Sequence, residues 1–166
     1  VYVPDLPGFG ESEKPRQVLN IPQLAEALKA WMDAVGLERA YLLGNSMGCH
    51  TVSVVASRYP ERVAGAILVS PLGDRGGRNT LRLVGRALND LVREPPSSWA
   101  IMFRDFLKAG LRRTVLTLRH MQRFALETWL PQVLVPTLVV GGKHDRIVPM
   151  WSIGRATALL PQGRVA

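Results

Sequence analysis

Cysteine is almost missing from this chain: Cys49 stands alone among 166 residues. One thiol excludes an internal disulfide and a cysteine-rich metal site, so no metal is expected. It also suits a reducing compartment, and a cytoplasmic location is the expectation. Long apolar runs are missing too, for no stretch approaches the roughly 18 to 20 apolar residues of a membrane span. The opening VYVPDLPG has neither the basic start nor the apolar core of a signal peptide. It also lacks an initiator Met and begins as though inside a strand, which reads as an internal fragment of a longer protein. Aromatic residues make up only 7% of the chain and do not interleave with the basic ones, so a nucleic-acid partner is not expected. No repeat and no low-complexity segment is found.

What is present is ordinary globular material. Apolar residues at 47% and charged residues at 20% describe a water-soluble fold, and 166 residues suffice for one buried core. The net charge of +8 is unevenly placed. Residues 72–131 hold 11 Lys/Arg against 5 Asp/Glu, and the remainder holds 10 against 8. The basic excess belongs to one middle segment, where arginines recur at near-helical spacing, as on solvated helix faces.

The order of elements is legible from periodicity. VYV (1–3) reads as a strand end, and PDLPGFGESEKP (4–15), with three prolines and two glycines, as a loop. Asn20 caps a predicted helix to Val35 with Leu24, Leu28, Trp31 and Val35 on one stripe and Gly36 past its end. AYLLG (40–44) is a strand, 46–60 a helix stopped by Pro60, and VAGAILVSP (63–71) a second strand. Helix and strand alternating in this way imply a parallel sheet with helices on its faces. Then 79–92, 97–110 and 111–131 read as three helices without an intervening strand, a helical insertion in an α/β domain. VPTLVVGG (135–142) is strand again, 151–161 helix, and RVA (164–166) the start of another strand.

Between the first strand and its helix lies Gly44-Asn45-Ser46-Met47-Gly48, a serine between glycines. A strand-to-helix turn this sharp strains the backbone at its apex and needs small residues two before and two after. In return the hydroxyl stands clear of the sheet edge, at a helix N-terminus that favours developing negative charge. The alternative is an ordinary turn with a capping serine. A serine hydroxyl needs a base, and the base an orienting acid. Asp145, in GGKHDRIVP after the strand at 135–140, ends a strand at the same sheet edge as Ser46. It could equally form a turn before Pro149. Asp74 is the second candidate acid. None of the three histidines suits the base: His50 sits one turn along the helix from Ser46, His144 adjoins the acid, and His120 lies in the helical insertion.

Four stretches in order, DLPGFGESEKP (5–15), GNSMG (44–48), RVAGAILVSP (62–71) and VPTLVVGGKHDRIVP (135–149), resemble the α/β-hydrolase superfamily. The resemblance implies an incomplete core over 1–71 and 132–166, with a helical cap over 72–131. It implies Ser46 as nucleophile, the Met47 backbone N–H as one oxyanion donor, Asp145 as triad acid and Gly44 and Gly48 as elbow glycines. Trp99, Met102, Phe103 and Phe106 become candidates for pocket lining, and Asp5, Gly8 and Gly10 shape a loop that does no chemistry. It places the triad histidine after a later strand, the second oxyanion donor before residue 1, and one family strand between VYV and AYLLG. A gap or re-paired sheet edge is then expected, and the chain by itself should be feebly active or inactive.

The implied activity is that of a cofactor-free serine hydrolase, acting on carboxylic esters through an acyl-enzyme on Ser46 and on an apolar small-molecule substrate. Carbon–carbon bond hydrolysis of ring-cleavage products by the same triad is the alternative, since GNSMG is a typical elbow for it. Cofactor-free peroxidation, a non-catalytic small-molecule binder and an inactive remnant stand further off. Haloalkane dehalogenation is disfavoured, because it uses Asp where this chain has Ser46.

Overall fold

The structure is a computed structural model that describes residues 1–71, 96–143, 145 and 147–166, with the side chains of 96–98 and 100–102 left aside. The predicted helix at 79–92, Asp74, His144 and the Met102 side chain lie outside the described residues.

Helix α1 (Ile21–Ala34) starts where Asn20 predicts. The Asn20 side chain accepts the Gln23 N–H and the Gln23 side chain accepts the Asn20 N–H, a reciprocal capping box. Its buried stripe is Ile21, Leu24, Ala25, Leu28 and Met32. Trp31 and Val35 do not belong to it: Val35 is 41% exposed, and Trp31 packs only partly against the core. Strand β1 (Ala40–Asn45), helix α2 (Met47–Arg58) and strand β2 (Val63–Val69) follow within two residues of the predicted bounds. The insertion contains α3 (Pro96–Ala109) and α4 (Leu111–Arg123), broken from each other at Gly110, whose φ of 77° suits glycine. The predicted third helix is shorter than expected. It ends at Arg123, and a four-residue helix α5 (Leu126–Trp129) and a 3-10 turn precede β3 (Thr137–Val140). Helix α6 (Met150–Ala158) and β4 (Gly163–Val165) complete the order.

Among the described residues four strands form one parallel sheet in the order β1-β2-β3-β4. One face is the core: Ala66, Leu68 and Val139 pack with Leu24 and Leu28 of α1, Val52, Val55 and Ala56 of α2, Leu126 of α5 and Ile153 of α6. The other face carries Tyr41, Ile67 and Leu138 around an open hollow of about 610 Å³. Residues 1–3 form no strand, and all three are exposed. Among the described residues β1 is therefore an edge strand, with Tyr41 77% and Leu43 64% exposed; no strand at 1–3 is there to bound the expected gap. Among the described residues no helix is long and apolar enough to cross a membrane.

Candidate active site

Ser46 is the single residue between β1 and α2. Its φ of 49° and ψ of −111° are those of a strained apex, a sparsely populated conformation that costs about 1–3 kcal/mol. Backbone contacts hold it there: its N–H donates to the Val69 carbonyl at 2.9 Å, and its carbonyl accepts the Cys49 N–H at 3.1 Å. The hydroxyl makes no cap bond to α2, and the residue is exposed, so it does not serve as a capping serine. Met47, the first residue of α2, is one of the four whose N–H lacks an intrahelical acceptor.

The two elbow glycines differ. A Cβ on Gly44 would lie 2.5 Å from the carbonyl group of Gly48, so the turn closes only with glycine at 44. A Cβ on Gly48 would meet nothing within 4 Å among the described residues, so the crowding expected there is absent. Below the turn, Cys49 Sγ lies 3.2 Å from both the Gly44 and the Val69 carbonyl oxygens. Burial pushes this thiol up to about 12, which keeps it protonated and able to donate.

Asp145 divides its two oxygens between two tasks. Oδ1 accepts the N–H groups of Ile147 at 2.8 Å and Val148 at 2.9 Å, the turn-forming role weighed from the sequence. Oδ2 accepts the Ser70 hydroxyl at 2.7 Å. The sequence marks Ser70 only as a polar residue closing an apolar strand before Pro71. The register pairs Asn45 with Val69 and Val69 with Val140, so the ends of β1, β2 and β3 are level. Ser46 and Asp145 thus follow strands two spacings apart, roughly 10 Å, at the carboxyl edge where parallel sheets bind ligands.

The described histidines stand elsewhere. His50 is 1% exposed and meets the Phe124 ring edge-on at 5.4 Å, a packing residue of the α2 interior face. His120 is half-buried on α4, where its carbonyl accepts the Phe124 N–H.

The loop at 4–16 is stiffened by Asp5, which accepts the Glu11 N–H at 2.9 Å on its carboxylate and the Ser12 hydroxyl at 2.6 Å on its carbonyl. It is fastened to the helical insertion. Glu11 pairs with Lys108, and Lys14 donates to the Lys108 carbonyl at 2.8 Å. Arg113 donates to the Pro15 carbonyl at 2.8 Å and lies over Gly8, where a Cβ would come 2.5 Å from its Nη1. A hollow of about 220 Å³ separates Phe9 from α4, lined there by Thr114, Thr117, Leu118 and Met121. Trp99, Phe103 and Phe106 do not line it and are 46%, 65% and 43% exposed.

Comparison with known proteins fits this geometry. Residues 1–117 match the family model described as alpha/beta hydrolase fold. The chain is 32% identical over 195 residues to a 2-hydroxy-6-oxo-6-phenylhexa-2,4-dienoate hydrolase of Comamonas testosteroni, covering 94% of this chain and 66% of that protein. It is 28% identical to a 2-hydroxy-6-oxononadienedioate/2-hydroxy-6-oxononatrienedioate hydrolase of Paraburkholderia phymatum, covering 90% of this chain and 62% of that protein. The solved structure of Est816, an N-acyl homoserine lactone degrading enzyme, superposes with a TM-score of 0.78 at 22% identity, over 97% of this chain and 71% of that one. The chain thus spans less than two thirds of the length of the first two. The parallel sheet, the strained serine at its carboxyl edge and the family match over most of the chain make it a member of the alpha/beta hydrolase fold family.

Proposed function

We propose that the protein to which this chain belongs is a serine hydrolase that cleaves a carbon–carbon bond in 2-hydroxy-6-oxo-dienoate ring-cleavage products. The observation that carries a nucleophilic mechanism is the exposed, strained Ser46, level with Asp145 on one sheet edge. The choice of bond rests on the relatives from Comamonas testosteroni and Paraburkholderia phymatum, whose names describe such substrates. This shifts the emphasis from the carboxylic esters favoured on sequence to the carbon–carbon alternative.

In this reading Ser46 Oγ attacks the 6-oxo carbonyl after a base takes its proton. The Met47 N–H stabilises the oxyanion, and Asp145 orients the base. Before cleavage the 2-hydroxyl proton moves to the carbon beside the 6-oxo group, giving a 2,6-dioxo form in which that carbon is tetrahedral. The bond from it to the former 6-oxo carbon then breaks, its electron pair runs through the remaining double bond to the 2-oxo oxygen, and that oxygen takes up a proton. Water then releases the acyl group as a carboxylic acid. Among the described residues no histidine stands with Ser46 and Asp145, and we assign the base to the part of the relatives' length that this chain does not span. Residues 72–131 act as the cap. The hollow between Phe9 and α4 suits the apolar end of the substrate: Met121 on its wall accepts the Phe124 N–H, and Phe124 touches His50, one turn from Ser46.

The test compares two substrates with the full-length protein. Loss of the visible absorbance of 2-hydroxy-6-oxo-6-phenylhexa-2,4-dienoate should proceed with the higher kcat/KM, a nitrophenyl ester should turn over more slowly, and Ser46→Ala should abolish both. Turnover of the ester alone would restore the ester reading. The 166-residue chain by itself should be nearly inert, since without its base a triad retains only binding and oxyanion effects. Robust ester hydrolysis by it, abolished by Ser46→Ala, would overturn the assignment of the base.

A further inference from the structure

Two serines that follow neighbouring strands share an unusual positive φ. Ser46 follows β1 with φ 49°, and Ser70 follows β2 with φ 48°; among the described residues they are the two non-glycine positions with positive φ. Their backbones are tied alike. Each donates its N–H to the last residue of the next strand, Ser46 to Val69 at 2.9 Å and Ser70 to Val140 at 2.8 Å. Glycine would adopt this conformation without strain, so a side chain retained there needs a use. At Ser46 the use is to present a hydroxyl outward. At Ser70 the hydroxyl turns to Asp145 and donates to Oδ2 at 2.7 Å.

That bond completes the restraint on the carboxylate. The Ile147 and Val148 N–H groups hold Oδ1 from one side, and Ser70 holds Oδ2 from the other. Two donors on one oxygen leave the carboxylate free to rock about Oδ1. A third donor on the second oxygen stops the rocking and leaves Oδ2 a lone pair with one direction. We propose that Ser70 is a positioning residue for the triad acid, fixing Asp145 so that Oδ2 meets the N–H of the catalytic base in a single orientation. This rests on the assignment of Asp145 as that acid.

The decisive variant is Ser70→Gly in the full-length protein, because it separates fold from function. It relieves the positive φ, so the thermal midpoint should stay level or rise. It removes the hydroxyl, so kcat should fall roughly ten- to a hundredfold, the scale of a small misplacement of a reacting group. KM should stay within about twofold, since the Ser70 hydroxyl is committed to Asp145. The loss should be the same factor on the dienoate and on a nitrophenyl ester, and in the rate at which a fluorophosphonate labels Ser46, followed by mass spectrometry. Ser70→Ala should lose the same factor with a lower midpoint. A Ser70→Gly protein with unchanged kcat and labelling rate overturns the proposal while leaving the Ser46 mechanism in place. Wild-type protein that neither turns over either substrate nor labels at Ser46, or Ser46→Ala protein with full turnover, overturns both.

Discussion

The sheet and the helical insertion are held by different forces. Around β2, the Val63, Leu68, Val54 and Val55 side chains are fully buried and touch helices from one side. In α4 no residue is fully buried, and α3 turns Phe103 and Leu107 to solvent. Helices α3 and α4 instead hang on charge and backbone carbonyls, Lys108, Arg113 and Arg112 reaching the loop at 11–16 across more than ninety residues of sequence, while α5 joins the core through Leu126. The basic excess in the middle of the chain thus has a local use that composition does not reveal. A core held by packing is insensitive to salt, whereas the exposed Glu11–Lys108 ion pair is screened by it.

The largest effect should come from cutting into the packed side. Leu68→Ala is expected to cost about 2–5 kcal/mol in chemical denaturation, against under about 0.5 for exposed Phe103→Ala. Equal losses would erase the contrast. Gly44→Ala should cost about 1–3 kcal/mol and the labelling of Ser46, since its Cβ would press on the Gly48 backbone, while Gly48→Ala leaves the fold unchanged.

The third test is alkaline pH. The Cys49 thiol is raised from 9.0 to about 12 in the folded state, so its contribution is fully present below pH 9.0 and is lost as pH climbs towards 12. In that window the unfolded chain binds fewer protons, and stability should fall by about 1.4 kcal/mol per pH unit. Native protein at neutral pH should also resist iodoacetamide at Cys49; fast alkylation would show the site to be open.

The smallest effect belongs to the charged side. Glu11 is held below its ordinary 4.5 by its hydrogen bond from Lys108, so that contact is complete above pH 4.5 and lost as the pH falls further. Amide exchange in the last turn of α3 should quicken in that acid range and at high salt, and in Lys108→Met at neutral pH. Exchange in α2 should not respond.

The same contrast explains what the sequence made legible. The strands and helices of the core announce themselves because burial imposes a period, and the helix beginning at Asn20 was readable from its cap. The periodicity of α1 points towards Trp31 and Val35, but the helix buries Ile21, Ala25 and Met32 beside Leu24 and Leu28, because a helix has several apolar faces and only the neighbours choose one. VYV looked like a strand, yet a strand is defined by its partner and residues 1–3 have none among the described residues. The elbow at Ser46 was visible through its glycines. Ser70 was not, because its conformation and its bond to Asp145 arise from strands brought level, across 75 positions of sequence. The fastening of loop to insertion was hidden for the same reason.

The Val69 and Val140 carbonyls, which receive the N–H groups of Ser46 and Ser70, carry a consequence for how such a site diversifies. They are main-chain atoms, indifferent to the side chain borne at 69 or 140. Mutation can therefore wander through those positions, and through the exposed faces of α3 and α4, while the spacing of the reacting groups is inherited intact. The reaction is written in the backbone, and the choice of substrate is left to side chains that evolution is free to edit.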